Sequence, residues 1–556
     1  MRRFQHVPSR EGLGIMLSID TSETELAQSK KPFGRSINDF PNLSKAEIHL
    51  IECAAKGNDC TLGATRPEKS DDDNLIRPGL VRFLALGGDE YTPVHEHGVL
   101  IEGAYIDGEI DFAGADQIRT LRLGKCFIEG HLILLGAKAQ SISLSGSRVA
   151  GVRGMRAHIA GTLFLAEGFR SDGLINLIGA KIDGDLTFSG GLFQKLTDED
   201  PSIPVNPLYP SLKDVTIVCN RINVGGSVFM RSISSRGEIR FWHAKIGGFL
   251  TVEQSSLENT IGNAISLSGA VIQQALFLTN SLDSSKIKGD IDLTNGFATT
   301  IWCNPELQQK PGNIILDGFS YERIYFGAGF RLRELRAWLL CQPDDDLGKE
   351  FKPQPFEQLT KVLRETGHDE EARQIGYFKQ RKLSRIRVHR ASLLWKPALL
   401  LWRYLVLDLL VGYGYRPHRA IFIAMALWLA CAWTYHEAAR EGLFVLATPA
   451  IYLSAAMDSN GKSLSDVCRA NWTKCRDARM NEYPRFNASM YAADLILPLV
   501  DFGQDDKWIP IKRSVTLAGL PMPTWWVRTL MWVEIGYGWI AGLVLAAVFS
   551  GAVKKD

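Results

Sequence analysis

The sequence predicts a β + α protein: a right-handed parallel β-solenoid with a helical N-terminal cap, a helical hairpin and a C-terminal two-span transmembrane module. Three observations predict it. A glycine-centred pattern recurs through the middle of the chain at spacings near 11 or 22 residues. The segments flanking that repeat carry helix start and stop signals. Nearly all the long apolar stretches lie after Ser392. Composition bounds the function classes. The 556 residues carry 63 Lys and Arg against 61 Asp and Glu, a net charge of +2, which argues against a nucleic-acid partner held by bulk charge. With 46% hydrophobic and 22% charged residues the chain is not disordered, and nine Cys are too few for a secreted disulfide scaffold.

Residues 1–41 read as a disordered tail. Their only apolar run, Leu13–Ile19, is short, is interrupted by Ser18 and runs into Asp20, so no cleavable signal peptide is expected. Residues 42–94 read as the cap. Ser44-Lys-Ala-Glu47 is a capping box, Gly57 can end that helix, and Pro78 can start a second helix that Gly87 ends.

The repeat domain spans 95–330. Its pattern is Ile-x-Gly-x-(Leu/Ile)-x-(Leu/Phe), as in Ile106-Asp-Gly108-Glu-Ile110-Asp-Phe112 and Ile182-Asp-Gly184-Asp-Leu186-Thr-Phe188. Gly226, Gly237 and Gly248 are each 11 apart, and Gly108 and Gly130 are 22 apart. Short alternating runs signal strands and the glycines mark corners. A fixed period means that each unit buries its apolar side only by stacking on the next. Alternation points Leu163 and Leu250 inward. It points Asp107, Glu109, Asp111, Asp183, Asp185, Asp290 and Asp292 to water, which accounts for this acid row without a metal or acid/base role. Residues 197–211, with four prolines, interrupt the pattern and must leave the solenoid as a loop.

Residues 331–390 read as a helical hairpin, two helices broken at Gly367 with Asp369 as the second N-cap. It ends in Lys379–Arg390, which holds six Lys or Arg in twelve residues. Beside a membrane helix, Lys379, Arg381, Lys382, Arg385, Arg387 and Arg390 are expected to contact anionic lipid headgroups. Residues 391–556 read as the membrane domain: an interfacial helix at 393–410, spans at 420–436 and 533–553, and an external loop at 437–523. Arg416, His418 and Arg419 precede the first span, and Lys554 and Lys555 follow the second. The positive-inside rule then makes both termini cytoplasmic. In that topology Cys468 and Cys475 lie in an oxidising compartment and are expected to pair. Val411-Gly-Tyr-Gly414 spells the heart of a potassium filter, and Gly536-Tyr-Gly538 repeats it in part. Val411–Gly414 precedes the first span and reads as a turn. The better pore or re-entrant candidate is Tyr491–Gly503, with Asp494, Pro498, Asp501 and Gly503; the alternative is a surface helix packed on the membrane.

Several of these residues carry a resemblance. Leu43-Ser-Lys-Ala-Glu47, Ala54-Ala-Lys-Gly57, His97-Gly-Val-Leu100, Gly367-His-Asp-Glu-Glu-Ala372-Arg373 and Asp408-Leu-Leu-Val-Gly-Tyr-Gly414 resemble bacterial pentapeptide-repeat-like β-solenoid proteins anchored to the membrane. The close, Leu497-Pro-Leu-Val-Asp501-Phe-Gly503-Gln504 with Trp508, is similar as well. The resemblance implies a bacterial inner-membrane protein. Members of that group are commonly labelled membrane-associated oxidoreductases, and some share a two-helix tail similar to ion-channel pores. The residues give the label no motif. There is no Gly-x-Gly-x-x-Gly between a strand and a helix and no Cys-x-x-Cys, so no catalytic, cofactor or metal residue is assigned and no cofactor is expected. Cys126, Cys219 and Cys303 read as small core residues, and Cys53 and Cys60 as reduced thiols. The expected function is a membrane-anchored cytoplasmic solenoid acting as scaffold, interaction or sensor protein. Its expected partners are the bilayer and a protein on the solenoid surface, with homo-oligomer formation and no nucleic acid. An oligomeric channel regulated by the solenoid is the alternative, and an oxidoreductase is the second.

Overall fold

The computed structural model describes residues 36–194, 212, 214–279, 286–303, 312–326 and 332–390. Of the C-terminal part it describes 395, 397, 400, 404, 412, 418–447, 468, 471–475, 483–497, 499–511, 515–517 and 520–550. The Pro-rich segment 197–211, nearly all of the interfacial helix expected at 393–410, and Pro498 therefore lie outside the described residues. The chain divides into two compact units, Met1–Ser266 with Ser281–Lys288, and Leu267–Asn280 with Gly289–Asp556.

The first unit opens with the cap. A 3-10 turn at Ile37–Asp39 is closed by a capping box between Ser36 and Asp39, and Phe40 is buried against Phe83 with ring centroids 5.7 Å apart. Residues 36–41 thus belong to the cap rather than to the expected disordered tail, because one aromatic ring finds a core to fill. Helix α1 (Lys45–Lys56) starts at the Ser44–Glu47 capping box and ends at Gly57, whose φ of +72° is the left-handed conformation a C-cap needs. Helix α2 (Pro78–Ala85) starts at its proline. Glu47 ties the two helix starts together. Its carboxylate accepts from Ser44 N at 3.1 Å, Arg77 N at 3.0 Å, Arg77 Nε at 2.8 Å and Arg77 Nη2 at 2.7 Å. Burial pushes this carboxyl up, but those hydrogen bonds and the guanidinium charge outweigh it and hold Glu47 below the usual range.

Above the cap the chain climbs in four-sided coils. One coil runs through strands Ile142–Ser143, Arg148–Val149, Gly151–Arg153 and His158–Ile159. It returns at Leu163–Phe164, directly in parallel register with Ile142–Ser143. The same face carries the register Val99↔Leu121↔Ile142↔Leu163↔Leu186↔Val228↔Leu250. A coil therefore closes every 21–23 residues, except between Leu186 and Val228, where the Pro-rich segment is inserted without breaking the register. Two faces make half a coil, which is why the glycine spacing is 11 as well as 22. Ile142, Val149, Val152, Ile159, Leu163 and Leu250 are all fully buried or nearly so, as alternation requires.

The coil corners use left-handed backbone even where no glycine stands: Arg156, Arg221 and His243 have φ of 55°, 56° and 54°. Glycine is demanded at Gly225 and Gly247, which stack in successive coils. A Cβ on Gly247 would run into the carbonyl oxygen of Gly225.

The outward acids need a correction. Asp185 does not simply face water. Its Oδ1 accepts the backbone N–H of Ser227 at 2.7 Å, one coil on. The position repeats the device: Thr162 Oγ1 accepts from Asp185 N at 3.3 Å, and Ser227 Oγ from Phe249 N at 3.2 Å. At this corner backbone alone leaves a donor over, and the side chain below takes it. Asp183 instead makes exposed ion pairs with His158 and Lys181, each at 2.8 Å.

The second unit holds further coils, with strands Val271–Thr279, Phe297–Cys303 and Ser320–Phe326 stacked in parallel. Asp290 Oδ1 accepts from Asn313 N at 2.7 Å, the Asp185 device again. Helices α3 (Leu332–Leu339), α4 (Asp344–Leu347), α5 (Gln354–Glu365) and α6 (Asp369–Arg390) follow. An open last coil would offer unpaired carbonyls to any passing strand. Here α5 covers them: Gln354 Nε2 donates to Phe319 O at 3.0 Å, and Gln358 Nε2 to Tyr321 O at 2.6 Å. The hairpin turns at Gly367 (φ +82°) as expected, but α6 begins at Asp369, so His368 and not Asp369 precedes it. The remaining helices are α7 (His418–Arg440), α8 (Ala488–Ile496) and α9 (Trp526–Phe549).

Two expectations follow. Leu163→Asp buries an unpaired charge and should cost several kcal/mol, on the order of 3 or more. Asp185→Ala should cost about 1–3 kcal/mol, because it orphans the Ser227 N–H. Denaturant titration of the detergent-purified protein reads both, and a neutral Asp185→Ala would show that the inter-coil bond contributes nothing. For Glu47, a depressed pKa gives stability that is present above the unfolded value of about 4.3 and is lost as pH falls through the folded value. Protease cleavage between α1 and α2 should therefore rise below roughly pH 4 in the wild type, whereas Glu47→Gln should be cut readily at neutral pH too.

Candidate functional site

Helices α7 and α9 are long and apolar enough to cross a bilayer. At 1.5 Å per residue, 23 and 24 residues reach about 35 Å, against a hydrocarbon core of about 30 Å. Their outer faces are apolar and bare: Phe422 is 62% exposed and Trp532 73%. The helix of the second span starts at Trp526, earlier than the expected 533, so Trp526 and Trp532 lie within it. Arg528 reaches back to Pro510 O at 3.0 Å from Nη2, and that contact settles a charge in the first turn of an apolar helix.

The inner seam between these helices is where chemistry collects. Cys431, Tyr435, Ala438 and Ala439 of α7 pack with Tyr491, Ala492 and Leu495 of α8 and Val527 of α9. Small residues there let the helices close up. Gly538 of α9 serves the same end, since a Cβ on it would strike the carbonyl oxygen of Ile496. Gly536-Tyr-Gly538, the partial filter signature, is thus the interior of a helix packed on α8. Tyr537 fixes the other end, its hydroxyl donating to Ala420 O at 2.7 Å. In the middle, Tyr435 OH donates to Glu534 Oε2 at 2.8 Å, and Glu534 is fully buried. Its second oxygen, Oε1, has no hydrogen-bond partner among the described residues. A carboxyl buried in an apolar helix is costly, and its one hydrogen bond offsets part of that cost. Sequence reasoning missed Glu534 and Tyr435; the signal available was a lone acid one residue before the uncharged run that begins at Ile535.

The lobe joining α7 to α9 contains the residues of the pore candidate and the cysteine pair. A disulfide joins Cys468 to Cys475. The loop between them caps the end of α7: Asn471 Nδ2 donates to Ala439 O at 2.7 Å and to Arg440 O at 3.1 Å, and Thr473 Oγ1 to Ala439 O at 3.1 Å. Ala439 O also accepts from Gly442 N at 3.0 Å, and the bridged loop adds its donors to that backbone bond. Phe444–Leu446 pairs with Trp508–Pro510 as a small antiparallel sheet. Asp494 is buried and turned into its own loop, accepting from Phe502 N at 2.7 Å, Gln504 N at 2.8 Å and Asp505 N at 3.1 Å. Asp501 is exposed and accepts from Gly503 N at 2.6 Å. Tyr491–Gly503 is therefore a short helix packed on α7 and α9 followed by a turn clamped by Asp494, and within this chain its acids bind backbone. Asp505 shares the corner, where burial and then the charges of Asp494 and Asp506 raise its pKa.

The basic end of α6 divides. Lys379 is buried and pairs with Glu357 of α5 at 3.2 Å, so it is a hairpin contact and not a lipid contact. Arg381 and Lys382 are half-buried. Lys382 lies 5.8 Å from the Phe378 ring, and burial, then Arg385, lowers its pKa. Arg385 and Arg387 are exposed. The side chain of Arg390 lies outside the described residues. On the solenoid a half-buried Phe277 stacks with the exposed Trp302 and Tyr325 as an aromatic ladder, with centroids 5.7 and 4.7 Å apart. Comparison of the chain with family models, with curated proteins and with solved structures finds no match.

A double-mutant cycle on Tyr435→Phe and Glu534→Leu should show a coupling of about 1–3 kcal/mol, since each single change strips a buried partner from the other. Thermal unfolding in detergent measures it, and additive effects would mean that the pair does not interact.

Proposed function

We propose that the chain is a membrane-anchored β-solenoid whose regular outer faces act as an interaction platform, a scaffold or sensor at a bacterial inner membrane with both termini cytoplasmic. One observation supports this above others: a single chain carries both a stack of flat parallel faces bearing a partly exposed aromatic ladder and two helices whose exposed faces are apolar. The ladder suits a protein partner, because aromatic side chains dominate well-packed interface centres. The exposed Arg385 and Arg387 suit anionic headgroups next to the first span. The resemblance to membrane-anchored pentapeptide-repeat-like proteins agrees with this reading, and the bare helix faces are where a homo-oligomer would form. The carboxylates of Asp494 and Asp501 are engaged by their own loop, which leaves the channel alternative without a polar lining drawn from that segment.

The test has two parts. The full chain should stay in the membrane pellet after alkaline carbonate extraction, and release into the supernatant would remove the anchor. A photo-crosslinking residue at Trp302 in native membranes should trap a discrete protein that a crosslinker at the buried Leu250 does not. Labelling of lipid alone, or of nothing, would reject the platform.

A further inference from the structure

Helix α1 places His49 and Cys53 one turn apart on the same face, the i, i+4 relation. The Gly57 C-cap then reverses the chain into strand Cys60–Thr61, which pairs with the first coil in the register Cys60↔Ile101. The result is a fixed triangle of soft donors. One ring nitrogen of His49, the Sγ of Cys53 and the Sγ of Cys60 all lie within 4.8 Å of one another. His49 Nε2 is 3.7 Å from Cys53 Sγ, and Nδ1 is 3.9 Å away. Both cysteines are buried and carry free thiols, while His49 is exposed.

These distances have a definite meaning. Around one tetrahedral zinc, with bonds of about 2.3 Å to sulfur and about 2.1 Å to nitrogen, a sulfur and a nitrogen ligand sit roughly 3.6 Å apart. The His49–Cys53 separation fits two ligands sharing an ion, and without one the same pair is within reach of a sulfur–nitrogen hydrogen bond. Two thiols and an imidazole are the donor set of zinc-type ions and not of calcium or magnesium. Three protein ligands leave the fourth position to water or to a ligand arriving from the exposed His49 side.

We propose that His49, Cys53 and Cys60 form a binding site for a single zinc-class divalent ion in the helical cap. Binding replaces two S–H protons by two metal–sulfur bonds: one M²⁺ enters, two H⁺ leave, and nothing is oxidised or reduced. Because metal binding releases thiol protons, affinity rises with pH. The site joins α1 to the first coil, so a bound ion stiffens the edge at which the solenoid starts.

Cadmium is the probe, because its bond to thiolate gives an ultraviolet charge-transfer band. The full chain, purified in detergent, reduced with a phosphine and stripped with chelator, is titrated with Cd²⁺, and zinc is then used to displace it. The expected result is a band that zinc removes, that is lost in Cys53→Ser, and whose midpoint in His49→Ala is weakened by roughly tenfold or more. His49 is exposed, so His49→Ala keeps the fold, and circular dichroism verifies this. A band that is unchanged in both variants belongs to other thiols, such as the reduced Cys468 and Cys475, and overturns the proposal. So does the absence of any band, or a Cys53–Cys60 disulfide as the only chemistry of the pair.

Discussion

Everything in the repeat domain depends on one constraint: each coil must hand its backbone hydrogen bonds to the next. Strands of two to four residues cannot satisfy themselves, and those inside the stack are paired above and below in parallel register. The apolar row then follows, because parallel register stacks like on like: Ile142 beneath Leu163, Leu163 beneath Leu186. Each such residue, once sealed from water, contributes about 1.5–3 kcal/mol of transfer free energy. The constraint also explains the polar exceptions. Where a corner tilts a peptide out of the ladder, Thr162, Asp185 and Ser227 lend a side-chain oxygen to the amide that is left over. At the end of the stack the constraint becomes a liability, and the Gln354 and Gln358 amides of α5 cover the carbonyls of Phe319 and Tyr321.

The repeat was legible because its signal is periodic, and a period survives the loss of any one residue. Capping was legible for the same physical reason at shorter range: Ser44, Glu47 and Gly57 act within a turn of where they stand. What the sequence hid is set by contacts across long separations. Lys379 looks like one more charge in a basic run until Glu357 meets it from the other helix of the hairpin. Asp494 reads as a polar residue on an apolar segment until the amides eight to eleven residues later fold back onto it. Glu534 and Tyr435 are 99 residues apart, and no local pattern links them. The acid row taught a subtler lesson. Alternation assigns a face, but residues on that face still differ in whether a neighbouring coil comes within reach.

The C-terminal apolar helices show how such a helix ends. Carbonyls in the last turn of α7 take the backbone amides of the following turn, Gly442 N on Ala439 O at 3.0 Å among them, and the chain adds Asn471 and Thr473 from a loop pinned by the Cys468–Cys475 disulfide. The covalent bond and the hydrogen bonds act on the same short segment. The sequence pairs the cysteines by compartment and suggests that the bridge holds Arg469 and Arg476 near the membrane's outer face. The task of the loop between them is local and geometric, to finish a helix.

The register across the first unit also makes the solenoid a ruler. Adjacent parallel strands are about 4.8 Å apart, so each coil advances the stack by one such step whatever its corners carry. The spacing shows the tolerance: 42 residues separate Leu186 from Val228 in sequence, and Val228 still lands over Leu186. Two exposed side chains on one face are therefore separated by a whole number of equal increments. A partner that reads such a face meets a graduated scale, and adding or deleting one coil would shift its farther contact by a single graduation while leaving the nearer one untouched.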